Sequence, residues 1–375
     1  MRFLNSAITR VCLLLRAVLI CSALMPGAAS GLSMTFINPG KSSEPYWIIA
    51  NQNMRAAADS LGIELEILTT EREYLAQISL TREVSQRPPA QRPDYLIVVA
   101  EKGTLAAQLA LANQAGIPVF LAFNTVRPEE RSQVGYPREQ FPLWLGSLVP
   151  EAEDGGYLSA RALILSAIER VPVGTALGMV ALSGDRSTDT SLKRNQGMLR
   201  AVAEFPQVKL HQQVFADWSY DKATEQADQL FRRYPDTQLV WSASDLLAFG
   251  AMQALRDTGR VPGHDVLFSA VNATPAALQA LQAGELAALA GGHHMAGAWA
   301  MVMLYDHYHG VDFIQEGGRA EQAYPMFSLL DGGITQALIE SQTNRPADFC
   351  AFSRVCNPAR THYDFSFDSW LELNE

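Results

Sequence analysis

The sequence predicts an α/β protein of two doubly wound lobes built on parallel sheets, and three observations carry that prediction. The stretch 238–293 holds three short apolar runs, at 239–242, 266–271 and 286–290, separated by two segments with helical spacing, one of them marked by Leu246, Leu247, Phe249, Gly250, Met252 and Leu255. Three strands joined through helices need crossovers packed on a parallel sheet. The same alternation of strand and helix recurs along most of the chain. Finally, 375 residues are long for one core and sufficient for two, while 48% hydrophobic and 18% charged residues mark a globular chain.

Taken from the amino end, 34–38 reads as a strand stopping at Asn38, and 45–61 as a helix that begins at Pro45 and is closed by Gly62. A strand at 63–69, a helix at 74–85, a strand at 95–100, a helix at 104–115 and a strand at 117–124 follow. Residues 134–148 break the alternation with two prolines and three aromatics, and this segment is read as the first passage between lobes. A second series then runs helix 151–170, strand 175–182, helix 188–204, strand 208–215 and helix 220–234, leading into 238–293. There, Ser244 and Asp245 stop one strand, and Asn272 stops the next. Thr274 caps the following helix, Pro275 opens it and Gly284 ends it. One more helix to about His309 and a strand-like 324–329 complete the pattern. Polar residues at the carboxyl ends of parallel strands face the crevice where ligands bind, so Asp245, Asn272 and His293 are the first site candidates, joined by Asn38 and Ser244.

The first 30 residues carry Arg2, Arg10 and Arg16 around an apolar segment, then Pro26-Gly27-Ala28-Ala29-Ser30, the layout of a cleavable secretory signal. Arg16 leaves too short a run to span a membrane. Cys21 follows Ile20, which is not a lipoprotein context. Removing the signal takes the formal charge from −10 to −13, and so acidic a chain argues against nucleic acid as a partner. Cys350 and Cys356 remain, and in an oxidising compartment a local disulfide between them is expected.

Several of these features resemble the ribose-binding and lactose-repressor family, the type I periplasmic binding fold. The matching residues are Ser244-Asp245-Leu246-Leu247-Ala248-Phe249-Gly250, Asn272-Ala273-Thr274-Pro275 and Gly284-Glu285-Leu286-Ala287-Ala288. The resemblance implies two Rossmann-like lobes joined by three crossings that close on a ligand. It divides the chain into a signal at 1–30, an amino-terminal lobe at 31–147 plus 293–325, a carboxyl-terminal lobe at 148–292 plus 326–342, and a tail at 343–375. Repressors of this fold carry a helix-turn-helix where this chain has its signal. The resemblance also places Tyr46, Trp47 and Trp218 where relatives present aromatics to sugar rings. Asn124 and Thr125 stand where relatives use Asp and Arg, and Asn272 replaces a common Asp. Where an arginine is expected, the chain has Leu192, with Asp189, Thr190 and Ser191 as nearby polar groups. Neutral amides avoid the desolvation cost of a charge, and the ligand is therefore left open beyond sugar-like.

Metal binding is not expected. His307 and His309 are two residues apart and diverge on a helix, and two cysteines with no second ligand pair do not make a zinc site. No phosphate loop, dinucleotide fingerprint or nucleophile elbow is present, and no cofactor or catalysis is expected. The sequence reading is a periplasmic solute-binding protein that hands a small polar, carbohydrate-like ligand to the membrane permease of an ABC-type importer. Its alternative is a ligand sensor that signals to a membrane kinase or cyclase.

Overall fold

A computed structural model describes residues 31–314, 319–333, 338 and 348–372. The predicted signal at 1–30 lies outside them, as do 334–337 and 339–347. Two six-stranded sheets organise the described chain. The first contains β1 (Ser33–Asn38), β2 (Glu64–Thr69), β3 (Tyr95–Val98), β4 (Val119–Ala122), β5 (Trp144–Pro150) and β11 (Glu321–Tyr324), in the order β11-β5-β4-β3-β1-β2 and parallel throughout. β3, β4 and β5 are buried at every residue, which is why they read as continuous apolar runs and not as alternation. The helices α1 (Pro45–Leu61), α2 (Tyr74–Gln86) and α3 (Leu105–Ala115), with the single turn α4 (Arg131–Val134), connect these strands.

The second sheet runs β12-β10-β9-β8-β6-β7. Its parallel strands are β6 (Leu177–Ser183), β7 (Val208–Phe215), β8 (Thr237–Ser242), β9 (Leu267–Val271) and β10 (Ala288–Gly291), and the short β12 (Ser328–Leu329) pairs antiparallel with β10. Before, between and after these strands lie α5 (Ala152–Ile168), α6 (Asp189–Ala203), α7 (Tyr220–Arg233), α8 (Asp245–Asp257), α9 (Pro275–Gln282) and α10 (Ala296–Tyr308). Ser219, Ser244 and Thr274 each accept a backbone N–H as the N-caps of α7, α8 and α9. α5 and α6 pack with unusually close backbones. A Cβ on Gly156 would lie 2.0 Å from the Arg194 carbonyl oxygen, and one on Gly197 would lie 1.9 Å from that of Glu153. Only glycine permits this approach.

The chain passes between the sheets after β5, after β10 and between β11 and β12. β5 continues to Pro150 in the first sheet, beyond the boundary read at 147, because Pro150 is still in register with Tyr324. The predicted strand at 324–329 is two strands, one in each sheet, since the chain changes sheets in its middle. α10 is buried on nearly every face and packs on α1, β4 and β5.

The tail, for which the sequence suggested no place, lies against α1 and α10. Buried Asp306 organises it, accepting from Ser353 Oγ at 2.5 Å, Arg354 N at 2.7 Å and Tyr363 Oη at 2.9 Å. Phe365 stacks on Trp299 and meets Tyr324 edge-on. The Cys350 and Cys356 sulfurs are joined in a short loop of this tail.

Candidate functional site

The carboxyl ends of both sheets face each other, and the residues just beyond them enclose a cavity of ≈ 70 Å³ measured for water centres. One water needs about 10–15 Å³ on that measure, so the space suits about five waters or one small polar molecule. From the first sheet come Tyr46 and Trp47 at the start of α1, Glu101 after β3, and Phe123 and Asn124 after β4. From the second come Thr188 and Thr190 at α6, Trp218 after β7, Ser244 and Asp245 after β8, Asn272 after β9 and His293 after β10. Phe123, Trp218 and Asn272 hold left-handed backbones, with φ of 69°, 58° and 110°. Such backbones cost on the order of 1–3 kcal/mol each for a non-glycine residue and concentrate at ligand sites.

Arg194 is the central cation. It is buried, donates from Nη1 to the Ala243 carbonyl at 2.7 Å and lies 2.8 Å from His293 Nε2 through Nη2. Burial brings its pKa down to about 10, which still leaves it charged at neutral pH. A guanidinium only donates, so His293 Nε2 is the acceptor and the imidazole proton sits on Nδ1. Burial first, then the Arg194 and His294 neighbours, keep His293 neutral by pushing its pKa well below the ordinary value. The ring stacks on Tyr46 at 5.0 Å and on Phe327 at 4.4 Å.

Two carboxylates are fully engaged. Asp245 accepts from Asn272 Nδ2 at 2.8 Å, from the Leu246 backbone at 2.8 Å and from Thr274 Oγ1. Asp185 accepts the Trp218 indole N–H at 2.8 Å along with bonds from Ser187 and Thr188. Burial raises the Asp185 pKa, but these donors outweigh it and the carboxyl sits below its ordinary value. Glu44 and Arg72 form a forked ion pair at the rim. Across the cleft Thr190 Oγ1 donates to Asn124 Oδ1, a direct bond between the two halves. By contrast, Trp47 Nε1, Arg194 Nε and His293 Nδ1 are buried without a hydrogen-bond partner among the described residues. Most buried polar groups have partners, so three open donors around one cavity require explanation.

The structure gathers Tyr46, Trp47, Asn124, Thr190, Trp218, Ser244, Asp245, Asn272 and His293 around the cavity. Three of the predicted residues lie elsewhere. Asn38 accepts from the Gly40 backbone and donates to Asn51 Oδ1, so its amide ties the loop after β1 to α1. Asp189, half-buried at the start of α6, pairs with Lys193 at 2.9 Å, and Thr125 lies one residue past the cavity wall. The arginine sought at Leu192 is Arg194. On a helix, Thr190 and Arg194 share a face at i, i+4 whereas Leu192 points away, so the helical period was the signal that would have found it. Glu101 was legible by the strand-end rule already applied to β8 and β9. Among the described residues no group of three or more His, Cys, Asp or Glu is placed to hold a metal ion. His307 bonds Tyr95 Oη at 2.8 Å, and His309 bonds the Tyr305 carbonyl.

Comparison with known proteins places this geometry. The family described as "Periplasmic binding protein domain" matches residues 34–310. The galactofuranose-binding protein YtfQ of Escherichia coli (strain K12) is 23% identical over 262 residues, covering 68% of this chain and 76% of that protein. The ribose import binding protein RbsB of the same strain is 24% identical over 247 residues, 66% of this chain and 74% of its own. Among solved structures, a periplasmic sugar-binding protein from Pseudomonas fluorescens shares 37% identity with a TM-score of 0.81, covering 91% of this chain and 99% of that one. With two mostly parallel sheets, three crossings and strand ends converging on one cavity, the chain belongs to the type I periplasmic binding protein family.

Proposed function

We propose that this protein captures a small sugar or sugar-like molecule between its lobes, in the periplasm after signal cleavage near Gly31, and delivers it to the permease of an ABC-type importer. The observation that carries the reading is the set of open donors at Trp47, Arg194 and His293. They offer unmet donors beside a cavity that Tyr46, Phe123 and Trp218 line with aromatic rings. A hydroxylated ring suits both, because its oxygens accept from the N–H groups and a face lies on Trp218. Relatives named for ribose and D-apiose import support the importer role, and no comparable observation favours the sensor. The test is calorimetry with D-ribose, L-arabinose, D-allose, D-galactose and myo-inositol. At least one should bind, and Trp218→Ala should weaken it by about 2 kcal/mol, roughly thirtyfold, while circular dichroism stays unchanged. Wild-type affinity in Trp218→Ala would move the site elsewhere.

A further inference from the structure

We infer that Glu101 is a specificity-determining residue of the cleft, an ionised acceptor for the hydroxyl protons of a neutral polyol; this rests on the sugar-binding reading above. The charges that line the cavity are Glu44, Arg72, Glu101, Arg194 and Asp245. Glu44 is tied to Arg72 by the forked ion pair, and Asp245 is held by three donors. Glu101 is the carboxylate left over. It is only 8% exposed, and no hydrogen bond reaches its side chain among the described residues.

Its position is built with care. The backbone after it turns through consecutive left-handed residues, Lys102 at φ 48° and Gly103 at φ 76°. The Glu101 carbonyl accepts both the Thr104 backbone at 3.0 Å and its hydroxyl at 2.8 Å. A strained, doubly anchored turn therefore holds a buried acid without a donor against the cavity. The ionisable groups that act on it are Arg72 and Lys102, which favour its charge, and Asp185 and Glu44, which oppose it.

A sugar hydroxyl has one proton to give and lone pairs to receive. Hydroxyls that accept from Trp47, Arg194 and His293 still need somewhere to donate, and Glu101 supplies that acceptor. Burial pushes its pKa up to about 7. The empty site is thus partly protonated at neutral pH, and binding a hydroxyl expels the proton to solvent. Affinity should rise with pH as the acid ionises, and heats measured in buffers of different ionisation enthalpy should show proton release.

The experiment is calorimetry of wild type, Glu101→Gln and Glu101→Asp with the five probes named above, from about pH 5.5 to about pH 8.5. Expected are an affinity gain of about tenfold across that range for the sugar that binds, a loss of about tenfold or more in Glu101→Gln with a flat profile, and partial recovery of both in Glu101→Asp. Equal affinity and an unchanged pH profile in Glu101→Gln would overturn the role of Glu101 and leave sugar binding intact. Affinity falling with pH would overturn the acceptor role by making the protonated acid the donor, and the wild-type profile alone decides this even if a variant fails to fold. Binding of none of the probes to wild type would overturn the sugar-binding reading and the Glu101 assignment together.

Discussion

At Glu101 and His294 burial acts on opposite charges. It raises the carboxyl from an ordinary 4.5 to about 7 and lowers the imidazole from 6.5 to about 4. The raised carboxyl binds more protons folded than unfolded, so its contribution is present at low pH and is lost as pH rises from about 4.5 to about 7. The depressed imidazole contributes above its unfolded value and is lost as pH falls below about 6.5. The two partly cancel in wild type, and a variant is needed to separate them. Between pH 4.5 and pH 7.5 the stability of Glu101→Gln relative to wild type should rise by about 3 kcal/mol, measured by urea denaturation at each pH. A constant difference would show that Glu101 titrates as an ordinary surface acid. Glu101 was readable in the sequence as a strand-end residue, but its burial and the charges that act on it were not, because Arg72 and Asp185 arrive from distant parts of the chain.

The pairing of α5 with α6 shows how an element positions a site. Gly156 and Gly197 let the two backbones approach, and Arg194 is on the helix so placed. Gly197→Ala should cost about 1–3 kcal/mol in thermal or urea unfolding, since its Cβ would meet the Glu153 carbonyl, and it should weaken sugar binding by shifting Arg194. Unchanged stability would show that the helices part without strain. The tail is a second case. Its aromatics and its two cysteines were visible in the sequence, but nothing local indicated that Asp306, on α10, would gather their donors. Thiol titration of the native protein under denaturing, non-reducing conditions should find no free sulfhydryl; two per chain would reject the Cys350–Cys356 bond.

At the scale of the whole molecule the bond from Thr190 to Asn124, like the stacking of His293 on Tyr46, joins residues carried by different sheets. The structure is therefore a closed form, and ligand binding should shift an open population toward it by its differential affinity for the two. Thr190→Val keeps the shape and removes the donor. It should lower apparent sugar affinity by about 1 kcal/mol, near fivefold, and reduce the compaction that small-angle scattering records on saturation. Equal compaction and affinity would assign closure to the ligand's own contacts.

Local chemistry wrote most of the architecture into the sequence. Apolar runs stopped by polar residues, caps at Ser244 and Thr274, Pro275 at a helix start and Gly62 at a helix end each act within a few residues, and they placed the strands and helices close to where they lie. Strand ends such as Asn124, Asp245 and Asn272 were found for the same reason. Only the tertiary structure decided that Asn38 closes its own loop, that Arg194 and not Leu192 supplies the cation, that one predicted strand is shared between two sheets and that the tail folds over α1 and α10. Each of these depends on groups brought together from far along the chain, where burial and the supply of hydrogen-bond partners outweigh any local preference.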